Sequence, residues 1–244
     1  MNLYLFAHQD DEFFCLPKIK EDIDNGINVK LLYLTDGGEL NISKSVRNDE
    51  STGVLTSLGV DVESIIFLGS YLKVSDGYLH RSMNLVLNEI KRTINISKVE
   101  SVIFPCYEGG HQDHDSISWL VSKLRFKPSA LKLQFSLYNG ENRIGSFFKV
   151  MSCIASQQKS EHAMYYHLSD LSFILTYKSQ LKSFLGLGPF ILLKIIFRRK
   201  IALVEFSEEY LKNRPHAGLL LYEKRFSLSY TEFLQYMTTL EGDL

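Results

Sequence analysis

Short apolar runs of strand character alternate with stretches of helical periodicity along the first half of the chain, and that alternation limits the fold more than any other feature. The runs are residues 3–6, 29–34, 64–68, 101–104 and 132–138. Between them, residues 15–25 alternate apolar and charged side chains at helical spacing and stop at Asn25-Gly26. Residues 45–58 close at Gly59, residues 82–94 space Met83, Leu87, Ile90 and Ile94 at helical intervals, and residues 116–124 continue the series. Strands joined by helices of about a dozen residues need right-handed crossovers. The fold class expected is therefore α/β, a mostly parallel sheet with helices on both faces.

In an open sheet of that kind, ligands bind beyond the carboxyl ends of the strands. Three polar stretches fall there: His8-Gln9-Asp10-Asp11-Glu12 after the first run, Thr35-Asp36-Gly37-Gly38-Glu39 after the second, and His111-Gln112-Asp113-His114-Asp115 after the fourth. Three adjacent carboxylates repel one another unless a cation or a helix N-terminus compensates them. A catalytic zinc site has three protein ligands and an open position, and His8, Asp11 and His114 supply such a set. Asp10, between two ligands, then has the place of a general base. His111 is a candidate acid or oxyanion donor, with Asp113 fixing its tautomer.

The same two histidines and carboxylate also satisfy the facial triad of a non-haem iron enzyme. A sugar-binding or scaffold domain that keeps a metal for stability is the third reading. Taken singly, His8 has a plainer account as a structural histidine, and Asp10 to Glu12 as a helix N-terminus. Cys106 is expected to be a small buried hydrophobe and His80, His162 and His167 surface residues, while His216 is only a candidate to line the site from the C-terminal part.

With 244 residues, 45% hydrophobic and 23% charged, the chain is expected to form one domain over 1–244, with an α/β core in 1–140 and an extension in 141–244 that completes or covers the site. The net charge of -1, without a block of like charges, speaks against nucleic acid and for a small partner. Cys15, Cys106 and Cys153 form no C-x-x-C pair, and residue 1 leads into a strand without a basic signal-like region, so reduced thiols and a cytoplasmic setting are expected. Residues 168–184 have helical character. Residues 184–197 are the most apolar stretch and end in Arg198-Arg199-Lys200. They fall short of the ~20 residues that span a bilayer. The alternatives are a core helix, a cover over the site, or a helix lying peripherally on the inner membrane surface.

Ala7-His8-Gln9-Asp10-Asp11-Glu12 and His111-Gln112-Asp113-His114 resemble the A-H-P-D-D-E and H-x-D-H motifs of the PIG-L/LmbE family of zinc-dependent N-acetylglucosaminyl deacetylases. Leu34-Thr35-Asp36-Gly37, Arg47 with Glu50, Leu58-Gly59 and Ser179-Gln180 are weaker matches, and the resemblance covers most of residues 1–140. It implies a Rossmann-like fold, one Zn2+ or another divalent ion, and removal of an acetyl group from a 2-acetamido sugar in a small or lipid-linked glycoconjugate. By matching positions, His8, Asp11 and His114 would bind the metal, Asp10 would be the base, and His111 would stabilise the oxyanion, tuned by Asp113. Arg47 would contact substrate, with Asp36 and Tyr107 as further substrate candidates. Gln9 stands where the family has proline, which loosens the turn and leaves every chemical group in place. Gly109-Gly110 offers close backbone approach to a sugar.

Overall fold

The computed structural model describes residues 1–38, 44–143, 148–157, 161–197 and 200–240. Glu39, Arg198 and Arg199, named above, lie outside the described residues. The chain runs β1 (Asn2–Phe6), a 3-10 turn (Asp11–Cys15), α1 (Leu16–Asp24), β2 (Val29–Tyr33), α2 (Lys44–Ser57), β3 (Ile65–Ile66), α3 (Leu68–Leu72), α4 (Met83–Thr93), β4 (Ser101–Pro105), α5 (Gln112–Lys123) and β5 (Leu131–Phe135). It continues through β6 (Tyr138–Asn139), β7 (Lys149–Val150), β8 (Glu161–Tyr165), α6 (Leu181–Phe197), β9 (Lys200–Glu205), α7 (Leu221–Arg225) and α8 (Tyr230–Thr238).

Seven strands form one sheet in the order β3-β2-β1-β4-β5-β9-β8, and β6 pairs with β7 apart from it. The first five are parallel; β9 and β8 add to the β5 edge antiparallel. The chain builds outward from β1 to β3, then returns to lay β4 on the other side of β1. The topological switch point, where ligands sit in folds of this kind, thus lies between the ends of β1 and β4.

Alternation along each strand feeds two cores. Tyr4, Phe6, Leu31, Tyr33 and Ile103 face one side, where Ile19 of α1, Leu55 of α2 and Ile191 of α6 cover them. Leu3, Leu5, Leu32, Val102 and Phe104 face the other, under Leu87 of α4, Leu120 of α5 and Phe233 of α8. Both faces of β1 are buried, which is why its sequence reads as a continuous apolar run.

The rim is held tightly. Thr35, just past β2, donates its N–H and its hydroxyl to the Ala7 carbonyl at 3.1 and 2.7 Å. Gly69 in α3 lies against this same residue: a Cβ there would come within 2.2–2.4 Å of Thr35 backbone atoms.

Three expectations are corrected. The run at 64–68 yields a strand of only two residues, because Leu68 already opens α3. Residues 168–184 are not one α-helix: 3-10 turns occupy Leu168–Leu175 and Lys178–Gln180, and the α-helix is the apolar stretch after them. Tertiary hydrogen bonds override local preference there, since the Tyr177 hydroxyl donates to Glu12 at 2.9 Å and the Ser179 N–H and hydroxyl donate to Glu50 at 3.0 and 2.5 Å. Helix α5 starts at Gln112, four residues earlier than its periodicity suggested, with His111 as its N-cap.

Gly69→Ala should destabilise the protein by about 1–3 kcal/mol, since the clash is with backbone that cannot rotate away. Gly53→Ala, at an exposed helical position with nothing within 4 Å of the added carbon, should raise stability by about 0.5–1 kcal/mol. Urea unfolding of the two variants checks both signs.

Candidate metal centre

Beyond Phe6 the chain folds back on itself around one carboxylate. Asp11 accepts the N–H groups of Ala7 and His8, both at 2.9 Å. The turn this closes holds Asp10 at a φ of 128°, a backbone conformation that costs a non-glycine residue ~1–3 kcal/mol. Gln9, in the place of a proline, ties the turn to α2: its side-chain amide donates to Asn48 at 2.7 Å and its carbonyl accepts from Arg47 at 2.8 Å. Glu12 is fully buried and accepts the Asp10 N–H and the Tyr177 hydroxyl, each at 2.9 Å. The third carboxylate of the run is therefore a strut beneath the site.

The second cluster is folded in the same manner. Asp115 accepts the N–H groups of Glu108 and Gly109 at 3.0 and 3.1 Å, which curls the loop after β4 back onto the start of α5. Asp113 accepts those of Gly77 and Leu79 at 2.6 and 2.9 Å. His111 caps the helix, its Nδ1 accepting the Asp113 N–H at 3.2 Å. That bond leaves the proton on Nε2. Asp113 thus sets the tautomer of His111 through its backbone; its carboxylate is turned to His8 instead.

The two clusters meet. His114 Nε2 lies 3.1 Å and His8 Nδ1 3.9 Å from Asp11 Oδ1, and one donor atom from each of His8, Asp11 and His114 falls within 4.8 Å of the others. Two imidazoles and a carboxylate, all buried, are the donor set of a divalent transition-metal site, and they fit it. A second grouping of His8, Asp76, His111 and Asp113 shares His8. There Nε2 of His8 faces Asp76 at 3.0 Å and Asp113 at 3.2 Å. Carboxylates so placed hold the N–H of the ring and leave Nδ1 as its lone-pair nitrogen. The second grouping is thereby read as the support of the first.

Charges in the site follow from burial and neighbours. Burial would lower the His8 pKa, but Asp76, Asp11 and Asp113 together hold it well above the ordinary value. Burial raises that of Asp11, and His114 and His8 more than reverse this, keeping it well below the usual range. Burial, with the nearby His8, pushes His111 down to about 3, so its ring is neutral. Burial pushes the Asp10 carboxyl up to about 8, against the pull of Arg47 at 3.4 Å and with the Asp11 charge adding to the rise.

Of the substrate candidates, Arg47 is in place: almost fully buried, it donates to the Gly37 and Gln9 carbonyls and lies 3.4 and 3.5 Å from Asp10 and Asp76. Asp36 is corrected, since its two carboxylate oxygens are taken by Lys44 and by the Gly38 N–H at 2.9 Å, which shapes the loop. Tyr107 is corrected as well. It is fully buried in the second core, with its hydroxyl 3.1 Å from that of Tyr230, and cannot reach a ligand.

The tyrosine beside the ligands is Tyr138, whose ring lies 6.0 Å from that of His114. Glu108 puts it there by accepting the Leu137 and Tyr138 N–H groups, the Ser136 hydroxyl and the Asn139 amide, at 2.6–3.0 Å. Gly110 serves the same approach rather than that of a sugar, because a Cβ there would stand 2.1 Å from the Tyr138 carbonyl. Asp76 also went unnoticed in the sequence. Ser75-Asp76-Gly77 reads as an ordinary turn, and only its place after the third strand, at the rim, could have marked it.

His80 is buried, not on the surface, because α8 closes over it with the Tyr236 ring 4.9 Å away. His162 and His167 are exposed and Cys106 is buried, as expected. His216 lies under the loop at Gly109 and Gly140.

A family model described as PIG-L, GlcNAc-PI de-N-acetylase, matches residues 3–124, the span from β1 through α5 that holds both clusters. No curated protein matches the sequence. Among solved structures, the deacetylase-bog complex of the teicoplanin biosynthesis pathway is similar with a TM-score of 0.60 at 14% identity, over 85% of this chain and 99% of that one. The N,N'-diacetylchitobiose deacetylase of Pyrococcus horikoshii has a TM-score of 0.59 at 17% identity, over 88% and 87%. GalB of Pseudomonas putida, a 4-carboxy-2-hydroxymuconate hydratase, reaches 0.53 at 12%, over 84% and 95%. At such identities these likenesses concern the fold. With half of its length and the whole His8–Asp11–His114 group inside the family match, the chain belongs to the PIG-L family.

Proposed function

We propose that this protein is a metal-dependent hydrolase that removes the N-acetyl group from a 2-acetamido sugar of the N-acetylglucosamine type, free or lipid-linked within a glycoconjugate. The observation that carries the reading is the convergence of His8, Asp11 and His114 on one point, with Asp10 and His111 beside it. Membership of the family supports the deacetylase class. A bound divalent ion, zinc by the donor set, polarises the amide carbonyl and brings the pKa of an adjacent water to about 7.

The chain's own groups supply the rest. Asp10 takes a proton from the attacking water as its oxygen bonds to the acetyl carbon. It returns that proton to the sugar nitrogen as the C–N bond breaks, so that acetate and a free amine leave. Arg47, 3.4 Å from Asp10, orients this carboxylate. His111, neutral and protonated on Nε2, donates a hydrogen bond to the carbonyl oxygen as negative charge develops there. Arg47 and Asp76 form a donor–acceptor pair next to the site that suits sugar hydroxyls. The exposed ring of Phe226, 4.8 Å from His111, offers an apolar face to a pyranose. A domain holding metal for stability alone has no use for Asp10 in a costly backbone conformation at the site's edge.

Asp10→Asn should lower kcat for amine release from N-acetylglucosamine conjugates by about 10²–10⁴-fold with metal content unchanged, as read by fluorescamine and elemental analysis. Retained turnover would refute the role of Asp10, and no turnover by the wild type on any N-acetylhexosamine conjugate would sink the deacetylase reading. His111→Ala should cut kcat by about 10²–10³-fold with little change in KM. Asp76→Asn, which loosens the grip on His8, should weaken metal retention by about 10–100-fold in a competition titration with a chromophoric chelator; unaltered retention would confine Asp76 to substrate contact.

A further inference from the structure

Helix α6 is apolar on the side it buries and also on the side it does not. Phe184, Ile191 and Ile195 pack into the first core. Leu185, Leu192, Leu193, Ile196 and Phe197 stand out with 43–77% of their surface exposed, and Leu175, on the 3-10 turn before the helix, is 70% exposed. Positions 185, 189, 192 and 196 follow the i, i+4, i+7, i+11 rule of a single helical stripe, occupied by Leu, Pro, Leu and Ile. A contiguous apolar stripe of this kind on a chain otherwise ordinary in composition marks a contact surface.

Charge says which surface. From Leu171 to Val204 the sequence has no Asp or Glu, while Lys178, Lys182, Lys194, Arg198, Arg199 and Lys200 bracket or interrupt the apolar stripe, in a chain of net charge -1. Cations at both ends of an apolar stripe match the anionic headgroups and acyl boundary of a bilayer, and a polybasic flank strengthens such binding. The run Lys178–Phe197 is long and apolar enough to cross a membrane by composition. It is not free to do so, because Phe184, Ile191 and Ile195 are committed to the sheet's core. The helix can lie in the interface but cannot leave the fold.

The stripe is also joined to the metal centre. Ring centroids step from His114 to Tyr138, Phe148 and Phe190 at 6.0, 6.2 and 5.7 Å, and Phe190 is part of α6. Arg225 lies 5.8 and 5.7 Å over the first two rings of that row after His114. A cleft of about 660 Å³ beside it is lined by Phe148, Lys149, Phe190 and Phe197.

We propose that α6 docks this protein flat on an anionic lipid bilayer, with the Leu185–Phe197 stripe in the headgroup boundary and the exposed Lys178 and Lys182 toward lipid phosphates, the further cations at 198–200 of the sequence adding to the attraction. The aromatic row then opens the metal centre toward the lipid surface. That last consequence rests on the deacetylase reading, as a route for a sugar whose carrier stays in the membrane. The docking itself does not.

The test is flotation of the full-length wild type with vesicles of phosphatidylcholine containing phosphatidylglycerol, and with phosphatidylcholine alone, without metal or substrate. The expected result is binding to the anionic vesicles that weakens as salt rises, at least about tenfold weaker for L185E/F197E and weaker also for R198E/R199E. Leu185 and Phe197 are 74 and 77% exposed, so the first double variant should keep its fold, which circular dichroism verifies. Failure of the wild type to float, or equal flotation of L185E/F197E, would overturn the proposal. So would a wild-type dimer in analytical ultracentrifugation that L185E/F197E converts to monomer while vesicle binding is absent, since a second copy would then cover the stripe. Turnover of a water-soluble N-acetylglucosamine glycoside is read on the wild type. A protein that floats but shows no turnover leaves the docking standing and removes the deacetylase reading.

Discussion

Buried carboxylates set the architecture of this molecule's working edge. A charge moved from water into a protein interior must be met by an opposite charge or by a set of N–H donors, or it costs several kcal/mol. At the ends of β1 and β4 the buried acids take backbone N–H groups, which offsets part of the cost of burial, and in doing so each folds a loop. Asp11 closes the turn at Ala7 and His8, Asp115 curls the segment after β4, Asp113 pins Gly77 and Leu79, and Glu108 gathers residues 136–139. The carboxylate that builds the first turn is also a candidate ligand, and the one that pins the loop at Gly77 also holds the His8 ring. Loop geometry and ligand geometry are therefore one problem with one solution.

The switch point between β1 and β4 explains why residues a hundred positions apart can share an ion. The crossover from β3 back to β4 puts the switch point at the carboxyl ends of β1 and β4, where both His/Asp clusters meet and where the crossover's own Asp76 reaches His8. The C-terminal part is not a mere cover. The Tyr166 and Tyr177 hydroxyls donate to the Phe13 carbonyl and to Glu12, and Ser179 bonds Glu50, so the underside of the turn carrying His8, Asp10 and Asp11 rests on residues far beyond it in sequence.

What could be read in the sequence was what is locally encoded. The strands at 3–6, 29–34 and 101–104 announce themselves because central parallel strands are apolar on both faces, while the run at 132–138 yields a strand only over Leu131–Phe135, since Tyr138 already opens the separate β6. His8, Asp11 and His114 stand out because ionisable side chains are dense where a strand ends. Tyr107 and Tyr138 show the limit. Both follow apolar strands, and only the bend imposed by Glu108 turns Tyr138 to the candidate ligands, while Tyr107 stays in the core. Asp76 was invisible for a similar reason: its partners, His8 and Arg47, come from the ends of other elements, and no local pattern records them. The edge strand β8 was missed because Glu161–Tyr165 lacks a continuous apolar run, whereas β9 carries one in Ile201-Ala202-Leu203-Val204 and was legible.

The fold by itself does not choose the reaction, since a hydratase and deacetylases share it at low identity. The choice lies in which groups surround the ligand set. Adding water across a carbon–carbon double bond and cleaving an amide both need a polarised substrate and a base, but only the second must also protonate a departing nitrogen. In the proposed reaction such a base is ionised when water attacks and holds the proton only until the nitrogen leaves. Burial, with Asp11 alongside, raises the Asp10 pKa, and Arg47 at 3.4 Å pulls it back toward the ionised form, as a bound cation would further. In the proposed deacetylase, the strained turn that crowds this carboxylate is also what would put it where one proton passes from water to nitrogen.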